Sequence, residues 1–240
     1  MKSDVELLTD SAPAACGDML ATRKAEIALV PVIEYQRNSG LLIVPDVCVG
    51  SRTRVRSVVL ATRKRDLREI RTIALDMSSR TSSVLIQVIF REFLGIEPDC
   101  KASRPDVTAM LATSDAALII GDPAMTFPRE DLQVHDLASL WHEYTGLGFV
   151  FAMWMAREDA DSRVRAIDIA GARDEGLAHI PEIADHYRTT LRLAHEDLIS
   201  YLMENIIFKM DEDMRAGLEL YYMLAHKYGF ITSVRPLKLL

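Results

Sequence analysis

Cysteine is scarce in this chain: Cys16, Cys48 and Cys100 are the only three in 240 residues. They are odd in number and far apart, with no CxxC or Cys/His pairing. That excludes a disulfide framework and a zinc site, and leaves buried free thiols as the expectation. Long hydrophobic runs are missing too. No apolar stretch approaches the roughly 18–20 residues that span a bilayer, and MKSDVELLTD carries acids where a signal peptide has an apolar core. A soluble, cytoplasmic protein with no membrane partner is expected. Excess positive charge is also absent: the net charge is −7, which argues against nucleic acid as a partner. An anionic small molecule would have to be held by local donors, because the field of the whole protein repels it. No GxSxG, Walker loop or GxGxxG occurs, so nucleotide-dependent and hydrolase chemistry has no support. The six histidines have no ligand spacing, and the seven-residue interval from His179 to His186 is only a weak pairing. Neither a metal nor a cofactor is expected.

What is present is ordinary for a globular chain, 49% hydrophobic and 26% charged, and long enough for one large domain or two lobes. Short apolar runs alternate with helical patterns. Val5–Leu8, residues 25–35, 41–50, 55–63, 72–77, 116–120 and 148–156 read as strands. Helices are expected from Pro13 to Lys24, over 82–95 with Val84, Leu85, Val88, Ile89 and Phe93 on one face, over 107–113, and over 136–146. Gly95 and Gly146 are natural stops. From Arg157 the pattern is helical almost to Val234, and the Tyr- and Met-rich segments there read as core or as a homodimer surface. This alternation predicts an α/β architecture with parallel-rich sheets. No repeat or loose linker is visible.

Three stretches could carry chemistry. The first is Ser78-Ser79-Arg80-Thr81-Ser82-Ser83, five hydroxyls and a guanidinium where a strand hands over to a helix. A helix N-terminus has unpaired N–H groups and a partial positive charge, so it suits a carboxylate or phosphate. Arg80 could add a bidentate contact. Ordinary N-capping explains one of these hydroxyls equally well. The second is Gly121-Asp122-Pro123 at the carboxyl edge of a strand, where open α/β sheets bind ligands; read from the residues alone it is a plain turn. The third is Glu34, Tyr35 and Arg37 at the end of a strand, where a solvated strand end is an equal reading.

Taken in order, VPVIEYQR, GLLIVPD, VRSVVLATRK, IALDMSSRTSSVLI, AALIIGDPAM, DLASLWHEYTGLGFVFAMW and YLMENIIFKMDEDMRAGLELYYMLAHKYGFI resemble chorismate dehydratase of the futalosine route to menaquinone. The resemblance covers nearly the whole chain. It implies a two-lobed, periplasmic-binding-protein type II-like clamshell with a cleft between the lobes. One lobe would comprise 1–56 and 157–240, and the other 57–156. It further implies a cofactor-free lyase that converts chorismate to 3-[(1-carboxyvinyl)oxy]benzoate. Ser79, Arg80, Thr81 and Ser82 would grip a substrate carboxylate, Gly121 and Asp122 would close against the ring, and Pro31, Glu34 and Ser57 would face them. No side chain stands out as the proton acceptor, and a substrate carboxylate can chemically serve.

Two departures accompany the resemblance. Family members begin with a further strand and an SxLNxxPL-like loop that brings an asparagine to the site. Here Met1 falls after that segment, so about 25–30 residues, the size of a strand, loop and helix, are expected to be missing. Ala14 stands where serine is common. Two other readings remain open. The same cleft could serve an intracellular binding module for an aromatic carboxylate. The sister enzyme that processes the cyclic futalosine derivative shares the fold, but carries a His-Glu pair where this chain has Gly121-Asp122.

Overall fold

The computed structural model describes residues 5–10 and 12–240. Val5–Leu8 is not a strand: residues 5–10 have no regular structure and Val5, Leu7 and Leu8 are exposed. A four-residue apolar run gains little as a strand without a neighbour to complete its ladder. The first four residues of the acidic N-terminal segment lie outside the described residues. Helix α1 (Pro13–Ala21) starts on a proline, whose missing N–H costs nothing at that position. Strand β1 (Ile27–Pro31) gives way to the short α2 (Ile33–Arg37), so the expected 25–35 strand is half helix.

β2 (Leu41–Ser51) leads through residues 52–57 into β3 (Val58–Thr62), whose every residue is buried. Then come β4 (Thr72–Asp76), α3 (Thr81–Ile89), β5 (Asp99–Ser103), α4 (Val107–Thr113), β6 (Ala116–Ile120), α5 (Asp122–Thr126), β7 (Gln133–Asp136), α6 (Leu137–Thr145) and β8 (Phe149–Arg157). The last third is helical, with α7 (Ser162–Arg165), α8 (Ile169–Ala178), α9 (Ile180–Leu191), α10 (His195–Ser200) and α11 (Glu212–Lys227). Both predicted stops hold: Gly95 and Gly146 sit at positive φ, 69° and 72°. Between Ile89 and Gly95 the helix widens to a π turn, Phe90–Leu94.

The strands form two sheets, ordered β1-β8-β2 and β5-β4-β6-β3-β7. Parallel pairing is confined to β5-β4-β6; β3 pairs antiparallel with both β6 and β7, and the smaller sheet is wholly antiparallel. The antiparallel strands are those next to the crossings between sheets, because a chain arriving from one sheet enters the other in the reverse sense. Residues 149–156, counted with 57–156 in the sequence reading, belong to the first sheet: Phe149–Arg157 is its central strand. The outer edge of β1 has no strand beside it among the described residues, whereas its counterpart β6 is flanked by β4.

Asp136 fixes the first crossing. Its carboxylate accepts from the backbone N–H groups of Val55 and Arg56, the latter at 2.6 Å, while also capping α6 through Ser139 N–H. The two sheets share one core, running from Val30 and Ile43 through Val84, Val88 and Trp141 to Leu60 and Leu118. An aromatic chain threads it, with edge-on contacts from Phe93 to Trp141, Trp141 to Phe149 and Phe149 to Tyr221. Cys48 is buried and Cys16 and Cys100 are half-buried, all three free; burial pushes the Cys48 thiol up to about 12, so it is inert as a nucleophile.

Helix α11 lies very close to the second crossing. A Cβ on Gly217 would stand 2.0 Å from the Gly148 carbonyl oxygen, and that oxygen also accepts from Trp141 Nε1 at 3.2 Å. No rotamer change relieves a clash with backbone. Gly217→Ala is therefore expected to lose about 1–3 kcal/mol of stability by overpacking, against the gain its helix propensity would otherwise bring. Denaturant unfolding checks this; an unchanged or raised midpoint would show that α11 is free to shift.

Candidate functional site

The turn between β4 and α3 is built on a carboxylate. Asp76 ends β4 and is 1% exposed. One of its oxygens accepts from the Ser78 N–H at 2.9 Å and the Ser78 hydroxyl at 2.6 Å; the other accepts from Ile120 N–H at 3.2 Å. No cation pairs with it among the described residues. A buried carboxylate held only by amide and hydroxyl donors stands or falls with those bonds. Asp76 thus joins the β4–α3 turn to the end of β6, two loops that the sequence reading had treated separately.

The five hydroxyls of this turn divide into two groups. Ser78 binds Asp76, Ser83 donates back to the Ser79 carbonyl at 2.6 Å, and Thr81 Oγ1 accepts from Ile33 N–H at 3.3 Å. Ser79 and Ser82 are 7% and 3% exposed. Their hydroxyls have no protein partner among the described residues, yet neither is sealed from solvent. No side chain caps α3. The capping explanation therefore fails: the first turn of α3 keeps its N–H groups free, with two uncommitted hydroxyls beside them.

Arg80, expected to grip a ligand, is engaged here by two carboxylates. Its Nη2 donates to both carboxylate oxygens of Asp18 in α1, at 2.8 and 2.9 Å, and its Nη1 lies 3.4 Å from Glu34 in α2. Glu34 is 6% exposed and also receives Arg37 at 3.2 Å and Asn38 at 3.3 Å. Both side chains hold the two walls to each other, as does Thr81 through Ile33. Pro31 is buried at the end of β1, two residues before that Ile33 contact.

The second cluster surrounds Gly121. Its φ of 67° with ψ of −148° is open essentially to glycine alone. Gly121 N–H donates to the Ser57 carbonyl at 2.7 Å, and Asp122 follows at the exposed start of α5. Ser57 is buried, and its hydroxyl accepts from the Tyr201 phenol at 2.9 Å. Burial pushes the Tyr201 phenol up, and the charge of Asp122 adds to this, so the group stays protonated at neutral pH and donates a hydrogen bond. Tyr201 opens a π turn, Tyr201–Asn205, at the end of α10.

Ser79, Thr81, Ser82 and Glu34 thus meet at one junction of the walls, and Gly121, Asp122 and Ser57 at another, with Asp76 between them. Sequence reasoning missed Asp76, Tyr201, Tyr221 and Tyr222. The last two, read as plain core, donate from full burial to the carbonyls of Thr81 at 3.1 Å and Val32 at 2.7 Å. Burial pushes both phenols well above their ordinary value, so they act as fixed donors. A pair of adjacent tyrosines in an apolar helix was the available signal, since a buried Tyr hydroxyl nearly always has a partner. No three His, Cys, Asp or Glu side chains gather to hold a metal among the described residues, and none of their helices is long and apolar enough to cross a membrane.

Known proteins resemble this chain in sequence and fold. A chorismate dehydratase of Thermus thermophilus is 29% identical over 230 residues, covering 87% of this chain and 83% of its own. The 1,4-dihydroxy-6-naphtoate synthase of the same organism matches more locally, 36% over 89 residues, 35% of this chain and 33% of its own. Among solved structures, a protein of Archaeoglobus fulgidus superposes with a TM-score of 0.72 at 18% identity, covering 94% of this chain and 86% of that one. A Candida albicans gene product described as having the generic periplasmic binding protein fold gives 0.59 at 12% identity, over 95% of this chain and 81% of that one. The fold is that α/β clamshell, and because residues 3–227 match the family described as menaquinone biosynthesis, the chain belongs to that family.

Proposed function

We propose that this protein is a lyase that removes water from chorismate to give 3-[(1-carboxyvinyl)oxy]benzoate. The observation that carries the reading is the uncapped N-terminus of α3, flanked by the free hydroxyls of Ser79 and Ser82, in a chain whose similarity to a chorismate dehydratase extends over 87% of its length. The similarity to the naphthoate synthase covers only 35%.

The reaction breaks a C–H bond at the ether-bearing ring carbon and the C–O bond to the neighbouring hydroxyl, forms the ring double bond between them, and releases water. Aromatisation drives it. The ring carboxylate, conjugated through the diene, takes up negative charge as the proton leaves. Donors placed there stabilise that charge more in the transition state than in the ground state. The α3 N–H groups with Ser79 and Ser82 are suited to this, while Arg80, committed to Asp18 and Glu34, fixes the walls. Gly121, having no side chain, lets the ring approach the backbone. Holding one conformer of the substrate favours elimination over rearrangement, and such positioning supplies several kcal/mol.

Incubation with chorismate followed by proton NMR is expected to show an aromatic enolpyruvyl ether. Tight binding of chorismate with no product would instead favour a binding module. In a turnover assay, Ser79→Ala/Ser82→Ala should cut kcat/KM by about a hundredfold, leaving the melting temperature nearly unchanged; full activity in that variant would remove these hydroxyls from the site. Thr81→Val behaves differently. It strips the Ile33 N–H of its acceptor and should cost about 1–3 kcal/mol of stability, readable as a lower urea midpoint. Asp76→Asn keeps the shape but turns an amide N–H toward the Ile120 N–H. A stability loss of about 1–3 kcal/mol together with a lower kcat is expected, and wild-type kinetics in this variant would show that the two loops do not need the link.

A further inference from the structure

A cavity of about 430 Å³ lies outside the two clusters described above, between α5 and the α10 end of the chain. Three guanidinium groups line it, those of Arg54, Arg56 and Arg129, against the carboxylates of Asp197 and Glu204. In a protein of net charge −7 this is a local excess of positive charge. The three arginines are unequally committed. Arg56 pairs with Asp197 at 3.6 Å. Arg54 and Arg129 have no carboxylate partner among the described residues, and Glu204 accepts from Ser200 at 3.2 Å instead. Arg129 is nonetheless held in place: it donates to the Ala124 carbonyl at 3.1 Å and its guanidinium lies 5.3 Å from the Phe127 ring centre. Met125 and Leu193 add apolar wall.

The position of this cavity gives it meaning. Arg56 and Ser200, both on its lining, are the chain neighbours of Ser57 and Tyr201, whose hydroxyls bond to each other. Met125 belongs to α5, the helix that begins beside Gly121. An anion gathered here therefore sits one residue along the chain from the second cluster.

We propose that this cavity is a vestibule that binds the carboxylate of an aromatic dicarboxylate ligand, counteracting the repulsion of a protein whose overall charge opposes such a ligand. The inference rests on the reading of the site as one for an aromatic dicarboxylate. Guanidinium forks suit carboxylates in geometry and charge, and the apolar wall suits a ring.

The test is a calorimetric titration of isophthalate, an unreactive ring with two carboxylates, and of inorganic phosphate, into the wild type and R54E/R129E. Both substituted residues are exposed, and equal melting temperatures would confirm that the variant is folded. Isophthalate affinity is expected to fall about tenfold in the variant and to weaken with added salt in the wild type. With chorismate, kcat/KM should fall by about the same factor while kcat holds. Unchanged isophthalate affinity in the variant would overturn the vestibule. Phosphate displacing isophthalate with equal affinity would overturn its assignment to an aromatic carboxylate. A wild type that leaves chorismate intact would defeat the lyase reading alone, because the isophthalate titration still decides the vestibule.

Discussion

With no Cβ at Gly217, α11 rests against the Gly148 carbonyl at a distance that no other residue permits, and that closeness sets where the next turn of the helix ends up. Tyr221 and Tyr222 follow within five residues. Their hydroxyls reach the Thr81 carbonyl at the start of α3 and the Val32 carbonyl just after β1. One helix thereby fixes both walls of the site from behind. The buried phenols have no alternative partner in water, so each bond lost would leave a stranded polar group, which costs more than the bond itself is worth. Packing at a single glycine and the geometry of two loops are in this way one constraint.

The site follows from how polar groups are paired or left unpaired inside that frame. Asp76, Glu34, Arg80 and Thr81 each bond to other segments, and what they do is hold those segments at fixed separations. Ser79 and Ser82 are the exceptions, buried without protein partners at a helix N-terminus that no side chain caps. Those unused donors beside a row of engaged groups are what the proposed function assigns to a ligand. On that proposal an acidic chain can hold an anion, since attraction would come from oriented N–H and O–H groups at short range rather than from net charge.

Much of this was legible in the residues. Period and punctuation located α3, α6 and their glycine stops, because Gly95 and Gly146 adopt the left-handed conformation that ends helices. The hydroxyl-rich turn stood out as a strand-to-helix handover for the same local reason. What the sequence could not show was how groups far apart in the chain pair. The Arg80 contact with Asp18 spans 62 residues, that of Tyr201 with Ser57 144, and that of Tyr222 with Val32 190. No local pattern encodes such distances, so neither the ion pair of Arg80 nor the carbonyl partners of Tyr221 and Tyr222, which are core as expected, could be read there. The placement of β8 failed for a related reason: a fully apolar strand fits either sheet, and only its pairing with Ile27–Pro31 decides.

The same long-range pairing bears on how the protein can work. Ala14 N–H to the Ser78 carbonyl, Ile33 N–H to Thr81, and the Arg80 contacts with α1 and α2 all cross between the walls, and a continuous apolar core lies behind them. Opening the walls widely would break these bonds and expose core together. A ligand therefore meets donors already in position, and little of its binding energy goes into assembling the site. Under the proposed lyase reading this suits a reaction whose driving force is built into the substrate as aromaticity, where the protein's main contribution would be to hold one conformer against fixed donors while water leaves.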